Sequence, residues 1–173
     1  MIINKEVNRK FQKDYFFSKG IIDIDAEYFI EKIKKSCSSE ENFNFKTNIK
    51  GLMTPFSFFN DDPKFQEILT KLIDYIDSIY NFRNYFLKEC WGFELRPGER
   101  TIFHDHAFDL WSGVIYLNKC DQPLEFPEIN EELYPEKGSF ALFNGFLNHG
   151  NKKNKDTVSK FGLSFNMHEV TPW

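Results

Sequence analysis

Apolar positions in the first half of the chain recur at the spacing of a helix, and those in the second half at the spacing of a strand. Between Asp25 and Lys35, the residues Phe29, Ile30 and Ile33 fall on one face, and Asp25 has the chemistry of a helix cap. A longer helix is predicted from Asp62-Pro63, a capping residue followed by a proline at the first turn, where the missing N–H is not needed. Phe65, Ile68, Leu69, Leu72, Ile73, Ile76, Ile79 and Tyr80 then form an apolar stripe, which predicts a helix that covers a sheet. The polar stretch 36–50 reads as a loop.

After Asn84 the period drops to two. Trp91, Phe93 and Leu95 alternate with Cys90, Gly92 and Glu94, which predicts a half-buried strand. Arg96-Pro97-Gly98-Glu99 places Pro and Gly as a type II turn requires. Further strands are expected at 101–106, 112–118, 138–143 and 160–167, with turns at 121–123, 136–138 and 151–156 between them. Short strands punctuated by turns point to a sandwich or jelly roll, and helices followed by strands make the class α+β.

Composition narrows the class. The chain has 173 residues, the length of one domain, and its 21 phenylalanines are enough to build a core, which argues against disorder. A net charge of −4 argues against nucleic acid as a partner, and the Lys152, Lys153, Lys155 cluster lies among asparagines as a solvated loop. Three widely spaced cysteines with no CxxC pair give no disulfide framework. No apolar run approaches the ~20 residues of a membrane span, and residues 1–17 lack a signal-peptide core. A cytoplasmic protein without a membrane partner is the expectation.

The chain has four histidines, and two of them stand in His104-Asp105-His106. On a strand, His104 and His106 share one face while Asp105 points away, so two imidazoles can share a divalent ion. His149, after the apolar strand 138–143, is the best third ligand, while His168 reads as a surface residue. With metal–nitrogen bonds of about 2.0–2.2 Å, the three ring nitrogens should gather within roughly 3–4 Å. Strand parity adds that Lys160, Gly162, Ser164 and Asn166 face one way, and Phe161, Leu163, Phe165 and Met167 the other. Likewise Ser112, Val114, Tyr116 and Asn118 oppose Gly113, Ile115 and Leu117. A polar interior and an apolar exterior suit a wet barrel covered by helices.

The order of these elements resembles the prolyl-4-hydroxylase-like branch of the 2-oxoglutarate/Fe(II)-dependent dioxygenases. The resemblance is carried by Arg96-Pro97-Gly98, then His104-Asp105-His106, then Val114-Ile115-Tyr116-Leu117-Asn118-Lys119 and Tyr134-Pro135-Glu136-Lys137-Gly138. It continues through Phe140-Ala141-Leu142-Phe143, His149-Gly150 and Lys160-Phe161-Gly162-Leu163-Ser164-Phe165-Asn166. It implies a double-stranded β-helix, a jelly roll with supporting N-terminal helices on one sheet: one domain over 1–173, with helical support at 1–84 and a jelly-roll core at 85–170. It also implies His104, His106 and His149 as iron ligands, and Tyr116 and Lys160 as the residues that hold the far carboxylate of 2-oxoglutarate.

The activity implied is a hydroxylation that consumes O2 and 2-oxoglutarate, on a protein side chain or a small molecule not identified by the sequence. Trp111, Phe108, Arg96 and Arg100 are rim candidates by proximity. The chain departs from the family pattern at His106, where a carboxylate is usual; Asp105 and Asp109 are the alternatives for that place. It also has Lys160 where many relatives use Arg, and Gly162 where some carry a hydroxyl. A three-His metal dioxygenase that does not use 2-oxoglutarate, and a non-catalytic jelly-roll binding module, are the two other readings.

Overall fold

The computed structural model describes residues 15–38, 47–80, 85–106, 109 and 111–169. In chain order the elements are β1 (Phe17–Ile21), α1 (Ala26–Cys37), β2 (Ile49–Lys50), β3 (Leu52–Met53), α2 (Pro63–Tyr80) and β4 (Tyr85–Leu95). Then follow β5 (Arg100–Thr101), β6 (Trp111–Tyr116), β7 (Leu124–Phe126), β8 (Glu131–Leu133), β9 (Ser139–Asn144) and β10 (Lys160–Glu169).

Both helices start where their caps stand. The Asp25 carboxylate accepts from Tyr28 N at 3.4 Å, and the Asp62 carboxylate accepts from Lys64 N and Phe65 N, each at 3.1 Å. Asp62 also accepts from Lys32 Nζ at 2.6 Å and from the Tyr28 hydroxyl at 2.8 Å, so one carboxylate caps α2 and ties it to α1. Phe65, Ile68, Leu69, Leu72 and Ile76 are buried as the stripe predicts. Ile79 is not: it is 49% exposed.

Six strands form one antiparallel sheet in the order β1-β9-β6-β10-β4-β3. Against one of its faces lie the short pairs β2–β5 and β7–β8. Single bridges, His104 to His149 and Glu125 to Gly150, connect these pairs through the segment 149–150 into a broken second layer. The main sheet therefore has two different faces. Phe161, Leu163, Phe165 and Met167 of β10 pack with Ile115 and Leu142 under α1 and α2. Trp91, Phe93, Leu95, Val114, Tyr116 and Phe143 face the second layer and meet Leu124, Phe126 and Leu133 there. A side chain at Gly113 would drive its Cβ to 2.1 Å from the Phe165 ring, so the close packing of β6 under that ring requires glycine.

The structure differs from the pattern reading in four places. The N-terminal half contributes strands as well as helices: β1 zips onto β9 from Phe17–Phe143 to Ile21–Ser139, and β2 and β3 pair with β5 and β4. The strand β2 also falls in the stretch read as a loop, of which residues 39–46 lie outside the described residues. The strand at 85–95 is covered on both faces from Cys90 to Phe93 rather than half-buried, because α1 lies behind Gly92, close to Ile33 and Phe59. The strand expected over 101–106 is a two-residue ladder continued by one bridge at His104. Gly98 has φ 87°, and Glu99 N donates to Arg96 O at 3.0 Å, as the turn requires.

Candidate metal centre

The backbone that follows β5 and the backbone that follows β9 are joined by a two-way bridge. His104 N donates to His149 O at 3.0 Å, and His149 N donates to His104 O at 2.9 Å. This reciprocal pair sets the two imidazoles side by side, with ring centres 4.5 Å apart. His106, two residues on, turns back to the same side, as the parity of an extended chain demands; its amide is held by Gly145 O at 2.6 Å. One ring nitrogen from each of His104, His106 and His149 lies within 4.8 Å of the others.

The orientation of each ring is fixed from behind. His104 Nδ1–H donates to Ile102 O at 2.7 Å and His149 Nδ1–H to Leu147 O at 2.8 Å, which leaves the Nε2 lone pair of each facing the cluster. His104 Nε2 and His106 Nε2 are 3.1 Å apart, and the Asn166 amide stands 3.4 Å from His106 Nδ1. That pattern assigns the His106 proton to Nε2, from which it is donated to His104. The hydrogen bond draws this pair together, whereas the His149 ring is held by Leu147 O and makes no such bond to the pair, so the span of the set exceeds the 3–4 Å expected. Phe126 and Phe143 flank His149 at ring distances of 5.9 and 4.7 Å.

Burial disfavours the imidazolium form at all three positions. It lowers His104 from its ordinary value, pushes His106 down to about 4 with help from the neighbouring His104, and pushes His149 well down. Three neutral imidazoles are the protonation state that a metal ion needs.

The other anticipated residues divide. Tyr116 is fully buried and lines the same narrow cavity as the three histidines, together with Trp91, Phe93 and Asn166. Lys160 is 0% exposed, with Nζ 3.3 Å from Gln122 O and 5.4 Å from the centre of the Tyr116 ring. Among the described residues no carboxylate pairs with it, and burial lowers its ammonium to about 7. Asp105 is exposed and is not part of the cluster that the three histidines form. Asp109 is buried behind His106, with Oδ2 at 4.0 Å from His106 Nδ1; its carboxylate is taken by Lys88 Nζ at 3.1 Å and His168 Nε2 at 2.9 Å.

Of the rim candidates, Trp111 is a correction. Its parity puts it under the helices, 2% exposed and edge-on to Phe16 at 4.6 Å. Arg96 and Arg100 are exposed and line neither the cavity nor the cleft outside it, and Phe108 lies outside the described residues. Trp91 and Glu89 line that outer cleft, although the strand pattern gave them no role beyond packing.

No family model matches the sequence, and no curated relative does. Solved structures do match its fold. A viral collagen prolyl hydroxylase from Paramecium Bursaria Chlorella virus-1, solved as its 2OG complex, superposes with a TM-score of 0.70 at 18% identity, over 91% of this chain and 97% of that one. A prolyl-4-hydroxylase from Pseudomonas putida gives 0.68 at 13% identity, over 90% and 93%. HygX from Streptomyces hygroscopicus, solved with nickel and 2-oxoglutarate, gives 0.65 at 11% identity, over 90% and 83%.

Proposed function

We propose that the chain is a non-haem Fe(II), 2-oxoglutarate-dependent dioxygenase that hydroxylates a C–H bond, on a double-stranded β-helix domain spanning residues 1–173. The observation that carries this reading is the pairing of two features. Three neutral imidazoles converge at a cavity, and a fully buried ammonium without a carboxylate partner sits beside Tyr116, which lines the same cavity. The donor set suits a borderline transition-metal ion. The unmatched Lys160 suits a carboxylate, since a buried charge is costly unless paired.

His104 and His149 would bind through Nε2, with Ile102 O and Leu147 O holding their rings in place. His106 would bind through the same atom, and its proton would then pass to Nδ1, on the side of Asp109. Asp109 would so serve as the carboxylate behind the ligand that stands in the usual carboxylate position. Lys160 and the Tyr116 hydroxyl would hold the far carboxylate of 2-oxoglutarate. Lys gives one point charge where Arg would give a fork, so the Tyr116 contribution is the larger for it. When bound, the metal supplies the coupling of oxidative decarboxylation to oxygen insertion: R–H, O2 and 2-oxoglutarate give R–OH, succinate and CO2. The apolar walls, Trp91, Phe93, Val114 and Phe143, keep water from the reacting atoms.

The test is to mix the protein with Fe(II) and 2-oxoglutarate without oxygen and record the visible charge-transfer band, then admit oxygen and measure succinate. A band followed by succinate is expected. Metal binding without the band would favour the three-His dioxygenase that does not use 2-oxoglutarate, which the all-histidine cluster supports. Failure to bind metal would leave the binding module.

A further inference from the structure

We propose that the substrate is a protonated primary amine on an aliphatic stem with a neighbouring carbonyl, a lysine-type group, taken up in the outer cleft between Glu89 and Trp91. This rests on the reading that the histidine cluster is the reacting centre, and it states what lies beside that centre. The cleft, of about 310 Å³, opens directly on His104 and His106. Ile49, Met53, Phe56 and Trp91 give it apolar walls, and Phe56 meets Trp91 edge-on at 5.2 Å.

Two polar groups in these walls are left with unused capacity. Trp91 is 5% exposed, and its buried indole Nε1–H has no acceptor among the described residues. A buried donor without a partner is disfavoured, so this one is suited to an acceptor on a ligand. Glu89 uses one carboxylate oxygen to accept from the Asn166 amide at 2.8 Å. Lys88 Nζ lies 3.9 Å from that same oxygen but is committed to Asp109 at 3.1 Å. The second oxygen of Glu89 takes no hydrogen bond among the described residues. Asn166 in turn stands 3.4 Å from His106, so the carboxylate is one residue removed from the cluster. Among the described residues no lysine or arginine lines the cleft.

These groups select by charge as well as by shape. An acidic substrate would face Glu89 in a low-dielectric cleft. A wholly apolar one would bury Glu89 and the indole N–H without partners. An amine answers the Glu89 carboxylate and gains from the Trp91 ring, its stem lies on Ile49 and Met53, and its carbonyl accepts from Trp91 Nε1–H. Hydroxylation then falls on a stem carbon, with the balance given above.

The test uses the full chain without added metal, followed by NMR titration, so that its outcome is independent of the charge-transfer and succinate measurement. The probes are N-acetyl-L-lysine methylamide, its norleucine and glutamate counterparts, and n-pentylamine. The lysine compound should bind about tenfold tighter than the norleucine compound, and the glutamate compound weaker than either. Glu89→Gln should erase that preference while keeping the Asn166 hydrogen bond and the melting temperature. Trp91→Phe should weaken the lysine compound by more than it weakens n-pentylamine, because both lose the better cation–π face but only the lysine compound also loses the indole N–H, which separates an amide-linked amine from a simple one. Equal binding of the norleucine compound, no binding of any probe, or a preference that survives Glu89→Gln would overturn the proposal. An unchanged affinity of the lysine compound in Trp91→Phe would overturn the part assigned to the indole.

Discussion

Lys160 is the most exposed to test of the single residues, because its chemistry is so unusual for its place. An ammonium at 0% exposure, lowered by burial to about 7, is half deprotonated near neutral pH. An incoming carboxylate favours the charged form, so 2-oxoglutarate affinity should be highest below pH 7 and decline as pH rises above it, with proton uptake on binding. Lys160→Ala should weaken 2-oxoglutarate about tenfold or more, remove the pH dependence and leave Fe(II) affinity unchanged, as calorimetry in buffers of different ionisation enthalpy would show. His106→Asp is the complementary change. It puts a carboxylate at the position and, if residue 106 is a ligand, should keep or raise Fe(II) affinity in an anaerobic titration; a loss would mean that residue 106 is not a ligand. Both positions were readable from the chain by strand parity and by their resemblance to a known pattern. Glu89 and Trp91 were not, because an isolated carboxylate and an indole inside an alternating strand look the same whether or not their polar atoms find partners.

The main sheet is where neighbouring residues serve opposite purposes. In β10, Lys160 and Asn166 point toward the cavity side while Phe161, Leu163 and Phe165 pack under the helices. The β10–β4 register breaks between Asn166 and Met167, which skips Lys88 and turns it toward Asp109. Gly113 lies under Phe165, whose ring is also 5.7 Å from Phe65 of α2. Gly113→Val should therefore push the ring off the sheet and cost about 1–3 kcal/mol, read as a lower denaturation midpoint in urea. The long strands and both helices were legible because their periods run for two or more turns or repeats. The strands β1, β2, β3, β7 and β8 were not. Each has five residues or fewer; β1, β2 and β3 owe their conformation to partners far along the chain, as β1 does to β9, while β7 and β8 pair with each other over three residues, too few to show a period.

At the scale of the molecule, two apolar clusters lie on either side of one sheet, and the histidines sit at the open edge of the second cluster. Their burial makes the fold acid-sensitive. Each is held below its ordinary value, His106 at about 4, so the unfolded chain binds more protons than the folded one between about pH 6.5 and 4. Stability should be fully present above pH 6.5 and fall as the pH drops through that window; thermal melts at stepped pH, with His106→Gln flattening the slope, check this. The three cysteines are buried, which raises the thiols of Cys37, Cys90 and Cys120, so native protein should react slowly with thiol reagents. The Lys160 ammonium, buried with no carboxylate partner among the described residues, has a consequence for the lifetime of the whole chain. Any small dicarboxylate that reaches Lys160 and is excluded from the unfolded state acts as a chaperone for the fold, raising the melting temperature with the logarithm of its concentration. The concentration of such acids around the protein would then set how long its fold lasts.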